Sequence, residues 1–369
     1  MLNIMHLTFD MGIGGTEQVI RQLILGLDPK RFTQQICCLE EEVGAMGQQL
    51  QNNGIRVHAL ARQPGFDLSL IKKLRELIQV ERIDVIHCHQ YTPWVYGWLA
   101  ACGLHPKVVF TEHGRFFPDR YRWKAWAINK AMAASTAKIT AISAATKAAL
   151  EQFEFINSKH IEVIYNGIEA IQSSEQAKQQ VKNELGISAE HNVIGTVARL
   201  DSIKNQAMMI QAFAMLRDTH SQLRLLIVGD GPEMNTLRAL TQQLNVVDYV
   251  IFAGFKSPAI DYMAIIELFL LPSLSEGTSM TLLEAMSLGI PCIVSDAGGN
   301  AEVIAHNLNG LVLTENTAAH LAKAIEYYLT NKQALIDAGT QARLRFEQLF
   351  SAKQMVSAFT EIYHLSVKQ

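Results

Sequence analysis

The amino-acid sequence predicts an α/β protein built from two doubly wound, parallel-sheet domains. Short runs of β-branched and apolar residues alternate along the chain with helix-length segments, and this alternation is typical of βαβ units. Several of these runs, including LLIV at 225–228 and LFLL at 268–271, are apolar throughout. Such strands are expected where helices cover both faces of a sheet.

The predicted strands follow one another in two series. The first series lies at 3–9, 35–40, 56–60, 84–89, 107–113, 138–143 and 161–167. The second lies at 192–199, 223–230, 250–255, 268–274, 291–296 and 310–313. Helix-length segments such as 17–27 and 68–80 separate most of these strands, so each series predicts its own parallel sheet.

A polar segment at residues 170–190, poor in strand-forming residues, separates the two series. We therefore predict an N-terminal domain at 1–167 and a C-terminal domain at 168–350. The last segment, 351–369, has apolar residues at helical spacing. We expect it to form a helix that packs back on the N-terminal domain.

Composition excludes several classes of protein. The net charge of -3 argues against general nucleic-acid binding. The five cysteines form no C-x-x-C pair, which favours free thiols in a reducing compartment. The start, MLNIMHLTFD, lacks the basic region of a signal peptide, and the longest strongly apolar run, 94–104, is too short to span a bilayer. We expect a cytoplasmic protein.

Ligands of doubly wound sheets bind beyond the carboxyl ends of the strands. After the first predicted strand, Gly12, Gly14 and Gly15 precede a helix, so backbone amides there are available to an anion. A tight turn without a ligand explains these glycines equally well.

Three histidines also stand at strand ends. His87 and His89 share one face of their predicted strand, but a metal site would need a third ligand, which the sequence does not identify. His113 ends the next strand and is followed by Gly114. It is placed either to meet a substrate or to make a structural hydrogen bond.

Residues 115–130 interleave five basic side chains with five aromatic rings. This composition suits peripheral contact with an anionic membrane or binding of an anionic acceptor. A helix with solvated charges and buried rings is the alternative.

The second series carries the clearest candidates. Arg199 ends the strand predicted at 192–199 and Lys204 lies five residues beyond it, and two cations there suit a diphosphate. After the strand at 268–274, Glu276 precedes Gly277, Thr278 and Ser279, and a predicted helix carries Glu284. We expect the amides at this helix start to favour a phosphate, and the two glutamates to accept hydrogen bonds from hydroxyls.

Taken together, these stretches resemble the retaining glycosyltransferases of family four, also called group 1. The most specific match is SEGTSMTLLEAMSLGIPCIVSD, in which Glu276 and Glu284 are separated by seven residues. Further matches occur in the family's order, at GGTE (14–17), TEHG (111–114), AIS (141–143), YNGIE (165–169), VARLDSIKN (197–205) and VGDGP (228–232). Their common order over nearly the whole chain makes the resemblance specific.

The resemblance implies the GT-B architecture, in which two Rossmann-like domains face a cleft. It also implies a nucleotide-sugar donor whose diphosphate contacts Arg199, Lys204 and the amides of 277–279. Glu276 would bind hydroxyls of the donor sugar and Glu284 the ribose. His113 would lie near the transferred sugar and the acceptor, and Gly14 and Gly15 would approach the diphosphate.

The implied reaction is retaining transfer of a hexose, with UDP-sugar as the family-level expectation, to a glycan or lipid-linked acceptor of a cell-surface polysaccharide. The sequence contains no Asp-x-Asp motif, so we predict metal-independent transfer without a cofactor. Peripheral attachment to the inner face of the cytoplasmic membrane through 115–130 is part of this expectation. Two alternatives remain, a sugar-nucleotide epimerase of the same architecture and a non-catalytic nucleotide-sugar-binding protein.

Overall fold

The computed structural model describes residues 1–114 and 121–368, and its strands coincide with the short apolar and β-branched runs of the sequence. Each of the thirteen predicted strands is present, and most end a few residues before the predicted limit. The strands are β1 (Leu2–Thr8), β2 (Phe32–Cys38), β3 (Arg56–Ala59), β4 (Val85–His89), β5 (Lys107–Glu112), β6 (Lys138–Ala141), β7 (Ile161–Val163), β8 (Asn192–Val197), β9 (Leu223–Val228), β10 (Val250–Gly254), β11 (Leu268–Leu271), β12 (Cys292–Ser295) and β13 (Gly310–Leu313).

Helices fill the intervals between the strands. Their bounds are α1 (Gly15–Gly26), α2 (Ala45–Asn52), α3 (Leu68–Val80), α4 (Tyr91–Ala101), α5 (Trp126–Ser135), α6 (Ala144–Glu154), α7 (Glu175–Glu184), α8 (Gln206–Leu216), α9 (Met234–Gln243), α10 (Ile260–Met263), α11 (Met280–Ser287), α12 (Asn300–Val303), α13 (Ala318–Thr330), α14 (Lys332–Arg345) and α15 (Ala352–Lys368). Within the described residues, no helix is both long enough and apolar enough to cross a bilayer.

The chain divides into two compact units, Met1–Glu169 with Ser351–Gln369, and Ala170–Phe350. In the first unit the strand order is β3-β2-β1-β4-β5-β6-β7, with every neighbouring pair parallel. The order reverses between β1 and β4. This switch point places the residues that follow β1, β4 and β5 at one edge of the sheet.

The second unit repeats the same arrangement with six strands in the order β10-β9-β8-β11-β12-β13, again all parallel. Its switch point lies between β8 and β11. The segments that follow these two strands contain Arg199 and Lys204 on one side and 276–279 on the other. The chain is therefore an α/β protein of two doubly wound parallel sheets, as the sequence predicts.

The two faces of the first sheet differ in polarity because side chains alternate along each strand. One face is apolar and packs into a core that includes Met5, Leu7, Cys88 and Phe110. The opposite face carries polar side chains on five adjacent strands, and their lateral register is given by the pairs Ile4↔Gln34, His6↔His87, His89↔Thr111 and Thr111↔Thr140. This polar layer is unusual because most of its members are fully buried.

The last helix, α15, covers part of that polar layer and packs against α1, β4 and β5. Its apolar residues Met355, Phe359, Ile362 and Tyr363 are buried in the first unit. The Tyr363 hydroxyl lies 2.7 Å from Nδ1 of His87. The helix therefore contributes both apolar packing and a buried hydrogen bond to the first unit.

Candidate functional site

A partly buried ion pair is the centre of the site in the second unit. Lys204 Nζ lies 2.6 Å from Glu276 Oε1, and the side chains are 23% and 7% exposed. Ser273 Oγ donates to the same carboxylate oxygen at 2.7 Å. The sequence predicts both residues as donor ligands but does not predict their direct contact.

Hydrogen bonds between two strand-end loops hold this pair in place. The Leu274 amide donates to the Ile203 carbonyl at 2.8 Å, and Asn205 Nδ2 donates to the Pro272 carbonyl at 3.2 Å. Asn205 has φ +56°, a left-handed conformation that asparagine tolerates better than most residues. These bonds join the β8–α8 loop to the β11–α11 loop, and they place Lys204 beside Glu276.

A glycine turn after β12 supports the other side of Glu276. Gly299 N donates to the Gly277 carbonyl at 2.9 Å. Gly298 has φ +54°, and a Cβ added there would lie 1.7 Å from the Glu276 carbonyl oxygen. Asn300 follows this turn fully buried, with neither of its amide atoms hydrogen-bonded within the described residues.

This DAGGN segment (296–300) is a part of the site that the sequence analysis missed. The available signal was a pair of glycines directly after a strand end, which often marks close backbone approach. A buried side-chain amide without partners is costly, so Asn300 is a candidate for contact with a bound ligand.

Helix α11 begins at Met280, with Ser279 as its N-cap residue. Gly277 and Thr278 therefore precede the helix rather than forming its first turn. The Ser279 side chain does not cap the helix, and its Oγ lies 3.1 Å from Thr281 Oγ1. A helix N-terminus beside Lys204 gives this edge of the sheet two positive elements that favour an anion.

Glu284 lies on α11, and burial raises its pKa to about 7. Among the described residues its carboxylate has no hydrogen-bond partner. It therefore exchanges a proton near neutral pH, and its ionised form offers both oxygens as acceptors.

Arg199 differs from Lys204 in its surroundings. Its guanidinium contacts Asp201 Oδ2 at 2.7 Å, and its side chain is 72% exposed. Arg199 and Lys204 therefore do not share a partner: Arg199 pairs with Asp201, whereas Lys204 pairs with Glu276. The arginine remains free to turn toward a ligand at little cost, since exposed ion pairs contribute little.

The VGDGP turn packs against the same loop. A Cβ at Gly229 would lie 2.0 Å from the Ala198 carbonyl oxygen, and one at Gly231 would lie 2.3 Å from that of Leu200. The Leu200 amide also donates to the Asp230 carbonyl at 2.9 Å. These glycines allow the close approach that fixes the backbone around Arg199.

In the first unit, the glycine segment after β1 leads directly into α1. Gly14 is the N-cap residue in an extended conformation, and the helix begins at Gly15. Gly12 N donates to Asp10 Oδ1 at 2.7 Å. The start of α1 thus lies at the switch point of the first sheet.

The polar face of the first sheet supplies the third imidazole that the sequence did not identify. His6, His87 and His89 lie close enough to offer one nitrogen each to a single ion. Each of their ring nitrogens is already hydrogen-bonded. His87 contacts Tyr363 and Thr111, whereas His6 contacts Gln34 and His89, which in turn contacts His113. A metal would have to displace these partners, so the set does not fit a metal site well.

His113 lies at the end of this group. Its Nε2 is 2.9 Å from His89 Nδ1, and its own Nδ1 is buried without a hydrogen-bond partner among the described residues. Burial lowers the pKa of His113 to about 3 and that of His6 to about 4. These imidazoles are therefore neutral at physiological pH.

Comparison with protein families agrees with this geometry. The model described as Glycosyltransferase Family 4 matches residues 13–171, and the model described as Glycosyl transferases group 1 matches residues 177–345. The two matches together cover nearly the whole chain. The chain belongs to the family four glycosyltransferases.

This glycosyltransferase is similar over most of its length to proteins of stated activity. It is 28% identical over 315 residues to the N-acetyl-alpha-D-glucosaminyl L-malate synthase of Bacillus anthracis, covering 84% of this chain and 82% of the relative. It is 25% identical over 381 residues to the UDP-Gal:alpha-D-GlcNAc-diphosphoundecaprenol alpha-1,3-galactosyltransferase of Escherichia coli, covering 98% and 96%.

Solved structures confirm the GT-B fold. The Anabaena protein HepE, crystallised with UDP, superposes with a TM-score of 0.87 at 22% identity over 98% of this chain and 99% of HepE. A glycosyltransferase from Rickettsia africae gives a TM-score of 0.89 at 20% identity over 100% and 99%.

The turn at Gly298 gives a direct test of the site geometry. We expect Gly298→Ala to destabilise the glycosyltransferase by more than the roughly 1–2 kcal/mol cost of a left-handed alanine, because its Cβ meets the Glu276 backbone. Gly186→Ala is the matched control, since Gly186 has φ +67° and open space around its Cβ position. Urea unfolding measures both, and equal losses would contradict the close approach at Gly298.

Proposed function

We propose that this glycosyltransferase transfers a hexose from a UDP-sugar, with retention of configuration and without a metal, to a glycan or lipid-linked acceptor of a cell-surface polysaccharide. The observation that carries the proposal is the partly buried pair of Lys204 and Glu276 beside the start of α11. This observation puts a cation, a helix N-terminus and a carboxylate at one switch point, and we propose that the carboxylate binds sugar hydroxyls.

The donor class is supported by the relatives. HepE has been crystallised with UDP and with UDP-glucose, and the Escherichia coli relative is named for UDP-Gal and a diphosphoundecaprenol-linked acceptor. Two Bacillus subtilis relatives, at 24% identity, are named putative glycosyltransferases. These names agree with a nucleotide-sugar donor and with an acceptor carried on a lipid.

The charge of the leaving group explains the need for Lys204. Cleavage of the glycosyl–phosphate bond leaves UDP with increased negative charge, which preorganised positive groups stabilise. In the proposed complex Lys204, Arg199 and the amides of 277–279 contact the diphosphate. Because Lys204 neutralises Glu276, the carboxylate can bind sugar hydroxyls near the phosphates without repelling them.

The remaining roles follow from chemistry as well. Glu284 accepts hydrogen bonds from the ribose hydroxyls, and His113 contacts the transferred sugar. Neither glutamate is assigned as a nucleophile. We propose same-face attack, in which the departing phosphate accepts the acceptor's proton, so retention does not need a carboxylate on the anomeric carbon.

A transfer assay tests the proposal. The enzyme is incubated with labelled UDP-glucose, UDP-galactose or UDP-N-acetylglucosamine and a polyprenyl-diphosphate-linked sugar, in the presence of EDTA. We expect a glycolipid product with an α-linkage from one donor. Interconversion of UDP-sugars without acceptor would instead identify an epimerase, and binding without turnover would identify a nucleotide-sugar-binding protein.

The pKa of Glu284 predicts how UDP affinity depends on pH. The free enzyme protonates Glu284 below about 7, whereas the ribose hydroxyls need an ionised acceptor. UDP affinity is therefore expected to rise as pH increases from 6 to 7 and to level off above 8, with a proton released on binding.

The matched variants for this prediction are Glu284→Gln and Glu267→Gln. Glu267 precedes β11 at the opposite edge of the sheet, and desolvation also raises its pKa. Titration calorimetry should show a weaker and nearly pH-independent affinity for the first variant and native behaviour for the second. If the UDP affinity of Glu284→Gln depended on pH as that of the native enzyme does, Glu284 would not be the residue that binds the ribose.

Peripheral membrane contact is the last part of the proposal. Residues 115–120 of the basic aromatic segment lie outside the described residues, but Trp123 and Trp126 are 67% and 46% exposed, with Lys130 Nζ 4.2 Å above the Trp126 ring. Exposed indoles beside lysines suit a headgroup interface. We expect the protein to co-sediment with phosphatidylglycerol vesicles but not with phosphatidylcholine vesicles. The double variant Trp123→Ser/Trp126→Ser should lose this binding, whereas the control Tyr327→Ser, at a residue as exposed as Trp126, should keep it.

A further inference from the structure

A continuous row of hydrogen bonds crosses the polar face of the first sheet. It runs from Gln34 on β2 to His6 on β1, then to His89 on β4 and to His113 after β5. The three contacts are Gln34 Oε1 to His6 Nε2 at 3.2 Å, His6 Nδ1 to His89 Nε2 at 3.1 Å, and His89 Nδ1 to His113 Nε2 at 2.9 Å. Every imidazole in the row is linked through both of its nitrogens except the last one.

The direction of the row is fixed at its first residue. Gln34 Nε2 donates to the Ile24 carbonyl at 3.1 Å, which leaves the amide oxygen facing His6. An amide oxygen can only accept, so His6 must donate from Nε2. The reverse arrangement would set a ring lone pair against the lone pairs of the Gln34 oxygen.

This direction propagates through the neutral rings. An imidazole that is neutral carries one proton, so His6 Nδ1 must accept from His89 Nε2. By the same rule His89 Nδ1 accepts from His113 Nε2. Burial lowers the pKa of each of these three histidines, which keeps the rings neutral. The Nε2 of His113 therefore carries the proton, and its Nδ1 presents a lone pair.

The remaining histidine of the polar face belongs to a separate row with its own direction. Thr140 Oγ1 donates to the Phe110 carbonyl, so it accepts from Thr111 at 2.6 Å. Thr111 in turn accepts from His87 Nε2, and the Tyr363 hydroxyl donates to His87 Nδ1. Both ring nitrogens of His87 are therefore occupied by Tyr363 and Thr111, and His87 makes no hydrogen bond to the row that ends at His113.

The direction of the hydrogen bonds from Gln34 to His113 leaves the Nδ1 lone pair of His113 without a donor. A buried acceptor without a partner is energetically unfavourable, and a ligand hydroxyl can recover that energy. A sugar hydroxyl can either donate or accept, so the protonation of the ring decides which role it takes. A lone pair at Nδ1 requires the hydroxyl to donate.

We propose that Gln34, acting through His6 and His89, holds His113 as the Nε2-protonated tautomer, so that His113 Nδ1 accepts a hydrogen bond from a hydroxyl of the bound sugar substrate. Gln34, His6 and His89 are positioning residues in this account. The inference rests on the proposed glycosyl transfer for the identity of the ligand. The tautomer itself depends only on the hydrogen bonds within the first unit.

Ring-nitrogen NMR of the ligand-free native protein is the first test. Histidine-labelled protein is examined by long-range proton–nitrogen correlation at neutral pH, where protonated and bare ring nitrogens resonate in different regions. The His113 signals are assigned by their loss in His113→Gln. We expect His113 to carry its proton on Nε2 and to leave Nδ1 bare. A proton on Nδ1 of His113 in the native protein would by itself overturn the proposal.

The second test removes the residue that sets the direction. Gln34→Met takes away the acceptor for His6, so His113 should show a mixture of tautomers. Gln35→Met is the matched control, because Gln35 is the next residue of β2 and accepts from His58 at 2.8 Å outside the row. The control should leave His113 unchanged, and an unchanged His113 in Gln34→Met would contradict the assigned role of Gln34.

Kinetics connect the tautomer to the substrate. With the UDP-sugar that the transfer assay identifies among the three tested, Gln34→Met should lower kcat/KM about tenfold, equivalent to about 1.4 kcal/mol, while Gln35→Met keeps the native value. Altered tautomers with native kcat/KM would refute the substrate contact. Absence of transfer by the native protein would contradict the proposed function instead, while the ring spectra would still decide the tautomer.

Discussion

The ion pair between Lys204 and Glu276 is the interaction on which the donor site depends. A partly buried ion pair contributes little net stability, because desolvation of the two charges offsets their attraction. The main effect of this ion pair is to position the two side chains. Glu276 holds Lys204 at the start of α11, and Lys204 removes the repulsion that a bare carboxylate would exert on a diphosphate. The same contact orients the carboxylate, which Ser273 also engages.

The parallel sheets explain why these groups meet. In each unit the strand order reverses once, and the loops on either side of the reversal diverge from a common edge. In the second unit the glycines at 229, 231 and 298 let neighbouring backbones approach closely enough to fix the loops that carry Arg199 and Glu276. In the first unit the same edge carries the start of α1 and His113, the last imidazole of the row that crosses the polar face.

The sequence predicts the fold class and each of the thirteen strands because hydrophobic period and turn residues are local signals. It also identifies Lys204, Glu276 and Glu284 as candidates, since they follow strands within a specific motif. Lateral register is not a local signal. His6 lies more than eighty positions before His89, so the row of imidazoles could not be predicted. The engagement of Arg199 by Asp201 and the support of Glu276 by the turn at Gly298 likewise depend on tertiary packing.

A double-mutant cycle on UDP affinity tests the central claim most directly. Isothermal titration would compare the native enzyme with Lys204→Met, Glu276→Gln and the double variant. The account predicts that Lys204→Met weakens UDP binding at least tenfold and that Glu276→Gln, added to it, partly restores the affinity, because the unneutralised carboxylate no longer repels the diphosphate. Losses that simply add, or a double variant weaker than Lys204→Met, would contradict the proposed role of the pair.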